Sequence, residues 1–262
     1  MEDHPISYSS FEGRTRNTAA RRADGEAWQA YPKLRWVYDR LQLSQALDYE
    51  CGPAGTLPPR RGTWFVKPII NLNGMGVDAC AQAYDGGSGF PVRPGSFWMP
   101  RFTGRHLSLD LKRVPNDWEV EFAVECIYRN NRPYEWRRVK DRPELPVLIS
   151  PNASDIPWLN VELIGSNVIE VHLRRNHDFD AMPDACSAFP VWEGEPVPED
   201  MVPDPEDADG FLVPRRLGFV YRSEERCASD RKKLVSAKAS PLRATTLPRC
   251  RNPWGGPNPG RA

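Results

Sequence analysis

The sequence predicts an α+β fold in which one helical segment leads into largely antiparallel sheet, with irregular arms at both ends. Three observations carry that expectation. One stretch near the start has helical apolar spacing, the middle is a succession of short β-branched and aromatic runs, and the 27 prolines are densest after Pro183. The 262 residues are 40% hydrophobic and 10% aromatic, enough for one or two domains with a real core.

The elements follow in order. Residues 1–30 form a polar N-terminal arm with the basic cluster Arg14, Arg16, Arg21 and Arg22. From Lys33 to Leu47, Leu34, Val37, Tyr38, Leu41, Leu43 and Leu47 recur at near-helical spacing, and a CGPAG turn at Cys51 ends the helix. Trp64 to Asn71 (WFVKPIIN) reads as a buried strand containing a lysine. Further strands are expected at Ser96–Phe102, His106–Leu111, Trp118–Tyr128, Trp136–Val139, Leu159–Ile164 and Val168–Leu173. Gly165-Ser166-Asn167 joins the last two as an antiparallel hairpin. Residues 193–209 carry eight acidic and no basic residues among prolines and read as a surface loop. Phe211–Tyr221 recovers one strand. Residues 222–262 form a basic, Pro/Gly-rich tail with ten Lys and Arg against three Asp and Glu.

Composition excludes several function classes. Lys and Arg number 35 and so do Asp and Glu, and a net charge of zero argues against a dedicated nucleic-acid binder, leaving the basic tail as the one place for such a contact. No apolar run approaches the roughly eighteen residues of a membrane span, and the opening MEDHPISYSSFEGR is no secretion signal, so the expected compartment is the cytoplasm. The six cysteines show no CxxC or zinc-ligand spacing and are read as reduced thiols. Neither a serine nor a cysteine has a nucleophile's context, so hydrolase chemistry has no support.

Two segments can carry chemistry. In WFVKPIINLNGMGVDA a strand lysine, Lys67, precedes the turn Asn71 to Gly76, where backbone N–H groups with little bulk around them can approach phosphate oxygens. The plainer reading is an ordinary glycine turn. In the hairpin, alternation puts Glu162, Glu170, His172 and Arg174 on one side. Two carboxylates on one face either hold a hard divalent cation such as Mg²⁺ or are neutralised by arginines and lysines.

Together and in this order, the two segments resemble the ATP-grasp superfamily over residues 31–180 or so. The matching positions are Val66-Lys67-Pro68, Asn73-Gly74-Met75-Gly76, Phe97 to Asp110, and Asn160-Val161-Glu162 followed by Glu170 to Arg174. The resemblance implies two α+β subdomains, here residues 31–221, with ATP and Mg²⁺ between them. It implies that Lys67 meets the ATP phosphates, that Asn73, Gly74 and Gly76 form a flap, and that Trp98 and Met99 lie near the adenine. Glu162, Glu170 and His172 take metal-ligand positions, with His172 where the family usually has Asn, and Arg174 meets the phosphate or acyl-phosphate. Lys67 and Arg174 are the catalytic candidates. The implied function is an ATP-dependent carboxylate–amine ligase acting on small molecules through an acyl-phosphate. The other reading is a non-catalytic binding or assembly protein on the same scaffold, its arms docking on a second copy or a partner chain, with Trp254 a candidate anchor.

Overall fold

The computed structural model describes residues 24–70, 79–129, 132–140, 142–146, 148–150, 155–179, 182, 186–203 and 216–223. The expected flap, Asn73, Gly74 and Gly76, and the tail beyond residue 223, Trp254 included, lie outside these residues.

The first described element is a helix α1 (Asp24–Ala30), inside the stretch expected as an arm, with Asp24 and Ala27 buried. The single helix expected over Lys33–Leu47 is two, a 3-10 turn over Pro32–Tyr38 and an α-helix α2 (Arg40–Ala46), because Asp39 between them is extended (φ −83°, ψ 97°). Asp39 caps α2, its carboxylate accepting from Gln42 N at 2.9 Å. Its backbone is taken by a β-bridge to Ile70.

The smaller sheet holds β1 (Gly52–Pro53), β2 (Gly62–Pro68), β3 (Cys80–Tyr84) and β4 (Ser96–Pro100) in the order β1-β4-β2-β3. The larger holds β5 (His106–Val114), β6 (Asp117–Arg129), β7 (Arg132–Arg138), β8 (Trp158–Ile164), β9 (Asn167–His172), β10 (Ser187–Trp192), β11 (Val202–Pro203) and β12 (Arg216–Arg222). Their order is β11-β12-β10-β7-β6-β5-β8-β9, so among the described residues β9 is an edge strand. Every pairing in both sheets is antiparallel. The α+β, largely antiparallel expectation therefore holds. β3 and β10 were not expected, and the acidic loop gives up Val202–Pro203 to β11.

Alternation sorts the larger sheet into two faces. Leu107, Leu109, Leu159, Val161, Leu163 and Val171 form the main core with Ala27, Val37, Tyr38 and Leu43 of the helical segments. Each fully buried Leu or Val among them contributes about 1.5–3 kcal/mol. The positions between them, Ser108, Asp110, Asn160, Glu162, Glu170 and His172, lie on the opposite face. A second cluster, Phe122, Val124, Trp136, Phe179, Ala188 and Phe219, continues that opposite face toward β12. Cys51 and Cys126 are free, whereas Cys80 and Cys186 are disulfide-bonded, which corrects the expectation of six reduced thiols. No helix among the described residues is long and apolar enough to cross a membrane.

Candidate functional site

The charged residues expected from the sequence converge where the small sheet meets edge strand β9. Lys67 is the sixth residue of β2 and is buried, with its ammonium donating to the Ile169 carbonyl at 3.0 Å. It reaches this point because β2 pairs with β4 so that Lys67 lies opposite Phe97 and Phe65 opposite Met99, all four on one face. Burial lowers the Lys67 pKa to about 8, against the opposing pull of the Glu170 carboxylate.

Glu162 and Glu170 are direct cross-strand partners on β8 and β9, the juxtaposition expected of the hairpin. Each has a different cation or donor. Glu170 meets Arg40 of α2 at 2.7 Å and the His172 Nε2 at 3.7 Å. Burial would raise its pKa, but Arg40, His172 and Lys67 together hold the carboxyl well below the ordinary range. Glu162 lies 3.1 Å from the His106 Nε2. A carboxylate only accepts, so that nitrogen carries the hydrogen. The other ring nitrogen, Nδ1, is 2.9 Å from the Tyr128 hydroxyl, and the imidazole stacks on the Tyr128 ring.

On the far side of Glu170 stands a second group of charges. Asp24 of α1 accepts from His172 Nδ1 at 3.0 Å and from both prongs of the Arg174 guanidinium at 2.9 Å. The Tyr38 hydroxyl donates to Asp24 at 3.2 Å and accepts from Leu173 N at 3.1 Å. Burial works against both charges, yet the pair is held ionised: Asp24 stays well below the usual carboxylate range, and Asp24 and Glu170 raise His172 to about 10. Lys67, Glu162, Glu170, His172 and Arg174 are thus brought into one continuous network. Asp24 and Arg40 belong to it as well, and the sequence reading passed over both. The only signal for Arg40 is a charge inside an otherwise apolar helical pattern, and for Asp24 there is none.

Two of the expected site residues have other partners in the fold. Trp98 alternates away from Lys67: its indole packs with Trp64, Val66, Cys80, Tyr84 and Phe90 in a satellite core, and its N–H donates to Thr56 Oγ1 at 3.0 Å. Met99 does share the Lys67 face and is buried. His172 is not placed to ligate a metal, because both ring nitrogens face carboxylates and its raised pKa keeps it an imidazolium with no lone pair to offer. Glu162 and Glu170 are engaged by His106 and Arg40. No group of three or more His, Cys, Asp or Glu among the described residues is arranged to hold a cation. The donor set as folded does not fit Mg²⁺.

Comparison with known proteins is informative at the level of architecture. The chain is similar to the crystal structure of an L-amino acid ligase from Bacillus licheniformis at a TM-score of 0.51 and 10% identity, over 81% of this chain and 76% of that one. It is also similar to N5-carboxyaminoimidazole synthetase from Staphylococcus aureus complexed with ADP, at 0.49 and 10%, over 79% and 72%. An ATP-grasp superfamily protein from Archaeoglobus fulgidus follows at 0.41 and 16%, over 71% of this chain and 64% of that one, so the chain spans less than two thirds of that relative. No protein-family pattern matches the sequence, and no curated protein matches it. The likeness to the L-amino acid ligase is one of fold.

Proposed function

We propose that the chain is an ATP-dependent ligase that joins a small-molecule carboxylate to an amine. The observation that carries this reading is Lys67, a buried ammonium delivered by the small sheet to the edge of the large one, where Arg40, His172 and Arg174 add three more cations against Asp24, Glu162 and Glu170. A phosphate placed at such a seam meets fixed positive charge in a poorly solvated setting, which is where electrostatic stabilisation is strongest. In the proposed reaction a substrate carboxylate oxygen attacks the γ-phosphorus of ATP, ADP leaves, and the amine displaces phosphate from the acyl-phosphate with loss of its proton. Lys67 and Arg174 position the phosphoryl oxygens, and no protein nucleophile takes part. No step is assigned to Mg²⁺, since the carboxylates and His172 do not fit one as they stand.

One observation favours a second reading, a binding or assembly protein on the same scaffold. Glu170 is engaged by Arg40, Glu162 by His106, and Asp24 by Arg174 and His172, so every carboxylate of the cluster already has a partner within it. Calorimetric titration of ATP, with and without MgCl₂, into the full chain and into Lys67→Ala separates the two. The ligase reading expects micromolar binding that Lys67→Ala weakens at least tenfold. Absence of binding at millimolar ATP in the folded protein removes it and leaves the scaffold reading.

A further inference from the structure

The carboxylate of Asp24 sits in a socket made by three side chains far from it in sequence. Arg174 meets it with a parallel fork, Nε to Oδ1 and Nη2 to Oδ2, each at 2.9 Å. His172 Nδ1 lies 3.0 and 3.1 Å from the same two oxygens, and the Tyr38 hydroxyl donates to Oδ1 at 3.2 Å. A planar fork, an imidazolium and a hydroxyl converging on two oxygens is the donor geometry that selects a carboxylate over other anions.

The socket is held together without the residue that fills it. Tyr38 is fixed by the Leu173 N–H at 3.1 Å, His172 by Glu170 on its other nitrogen, and Arg174 by an Nη1 hydrogen bond to the Arg175 carbonyl at 2.9 Å. Asp24 is carried by α1, whose Trp28 packs on the Tyr38 ring at 5.8 Å and accepts from Arg35 Nε through its carbonyl at 2.7 Å. Each of the three donors of the socket thus has a partner besides Asp24. Through the His172 ring the socket also adjoins Glu170, the residue whose charge acts on Lys67.

We propose that Tyr38, His172 and Arg174 form a carboxylate-binding socket which α1 fills with the Asp24 side chain, so that the chain's own acid stands where a substrate carboxylate binds. This deepens the ligase reading and rests on it for the purpose of the bound carboxylate. The ability of the socket to take a free one is independent of nucleotide.

The test is rescue by a small carboxylate in the absence of ATP. Thermal unfolding and far-ultraviolet circular dichroism are recorded for the full-length protein, Asp24→Ala, Asp24→Asn and Asp24→Ala/Arg174→Gln against sodium formate, with sodium chloride at matched ionic strength. Formate should raise the Tm of Asp24→Ala by about 3–6 °C for each tenfold increase beyond half-saturation. It should do so more than chloride, and leave wild type and Asp24→Asn, whose sockets are filled, at the chloride response. If Asp24→Ala is unfolded in buffer, the same proposal expects formate and not chloride to restore its helical and strand signal. The double variant should not respond. An equal response of Asp24→Ala to formate and chloride, an equal formate response in wild type, or rescue that survives loss of Arg174 each overturns the socket. Calorimetry with ATP can fail while formate rescue succeeds, so the two readings fall separately.

Discussion

The Lys67 ammonium donates to the Ile169 carbonyl at 3.0 Å, across 102 residues of chain, and ties an inner strand of the small sheet to the edge strand of the large one. A buried cation at a seam is stabilised only by what surrounds it, and Glu170 offsets part of the desolvation but not all. Because burial depresses this pKa from 10.5 to about 8, the folded state binds the proton less tightly than the unfolded chain. Protonation is then a penalty of about 3 kcal/mol below pH 8, relieved as the pH rises from 8 to 10.5. The difference in unfolding free energy between wild type and Lys67→Met, measured by urea titration, should therefore shift in favour of wild type by about that amount across the window. A flat difference would mean that the ammonium is solvated.

His172 has the opposite sign. Its folded pKa is raised from 6.5 to about 10, so its contribution is complete below pH 6.5 and disappears as the pH climbs through 10. Asp24, depressed below 3.8, contributes above about pH 4 and loses that contribution as the pH falls further. Their pair is at full strength between roughly pH 4 and 6.5. Removing one partner of a buried pair costs about 3–5 kcal/mol. His172→Gln should be destabilised by that amount at pH 6, with the gap to wild type closing between pH 6.5 and 10. Proton NMR checks the assignment directly: the His172 ring resonances should not titrate between pH 5 and 8.5.

Alternation makes most of this legible in the sequence. Glu162, Glu170 and His172 share a face because the period of two is fixed by the strand, and Gly165-Ser166 closes the hairpin with Gly165 at φ +63°. Helical periodicity, however, is blind to a cap in mid-run, and so the break at Asp39 was missed. β10 was obscured by Pro190, a residue that argues against a central strand. It is tolerated because β7 pairs only with Ser187 and Ala188, leaving Pro190 with β12 alone as neighbour. Asp24 lies 148 residues from His172 within a polar stretch, and no local pattern points from one to the other. Trp98 parts from its neighbours for a simpler reason: a strand segment has two faces, and only Phe97 and Met99 turn toward Lys67.

The cysteines divide by burial. Cys126 is buried on the second face of the large sheet, and burial with the nearby Glu162 charge pushes its thiol well up, while Cys51 is half-buried with a smaller push in the same direction. Thiolates react, so iodoacetamide at pH 8 should label Cys51 in the native protein and Cys126 only after unfolding. Cys80 and Cys186 should resist alkylation even in denaturant until a reductant is added. Peptide mapping by mass spectrometry reads all four positions, and labelling of Cys80 or Cys186 without reductant would contradict the bonded state.

Two backbones touch where the connection from β4 to β5 crosses the β8–β9 turn. A Cβ on Gly104 would stand 2.8 Å from Gly165 Cα and 3.0 Å from Gly165 N, and one on Gly165 would stand 2.9 Å from the Thr103 carbonyl oxygen. These are backbone atoms, fixed by the Gly165 N–H donating to the Arg105 carbonyl at 2.8 Å, and cannot swing aside as a side chain would. Gly104 also has φ +125°, outside the range a β-carbon tolerates. Clash and conformation add, so Gly104→Ala should cost about 2–4 kcal/mol in urea unfolding. Gly194 separates the two contributions: it has φ +86° with nothing within 4 Å of a Cβ, so Gly194→Ala should cost only about 1 kcal/mol. Equal losses at both sites would mean that the crossing is loose. Since the same crossing fixes the hairpin that carries Glu162 and Glu170, the proposed ligase function expects the Gly104→Ala protein to bind ATP more weakly than Gly194→Ala at a temperature where both are folded.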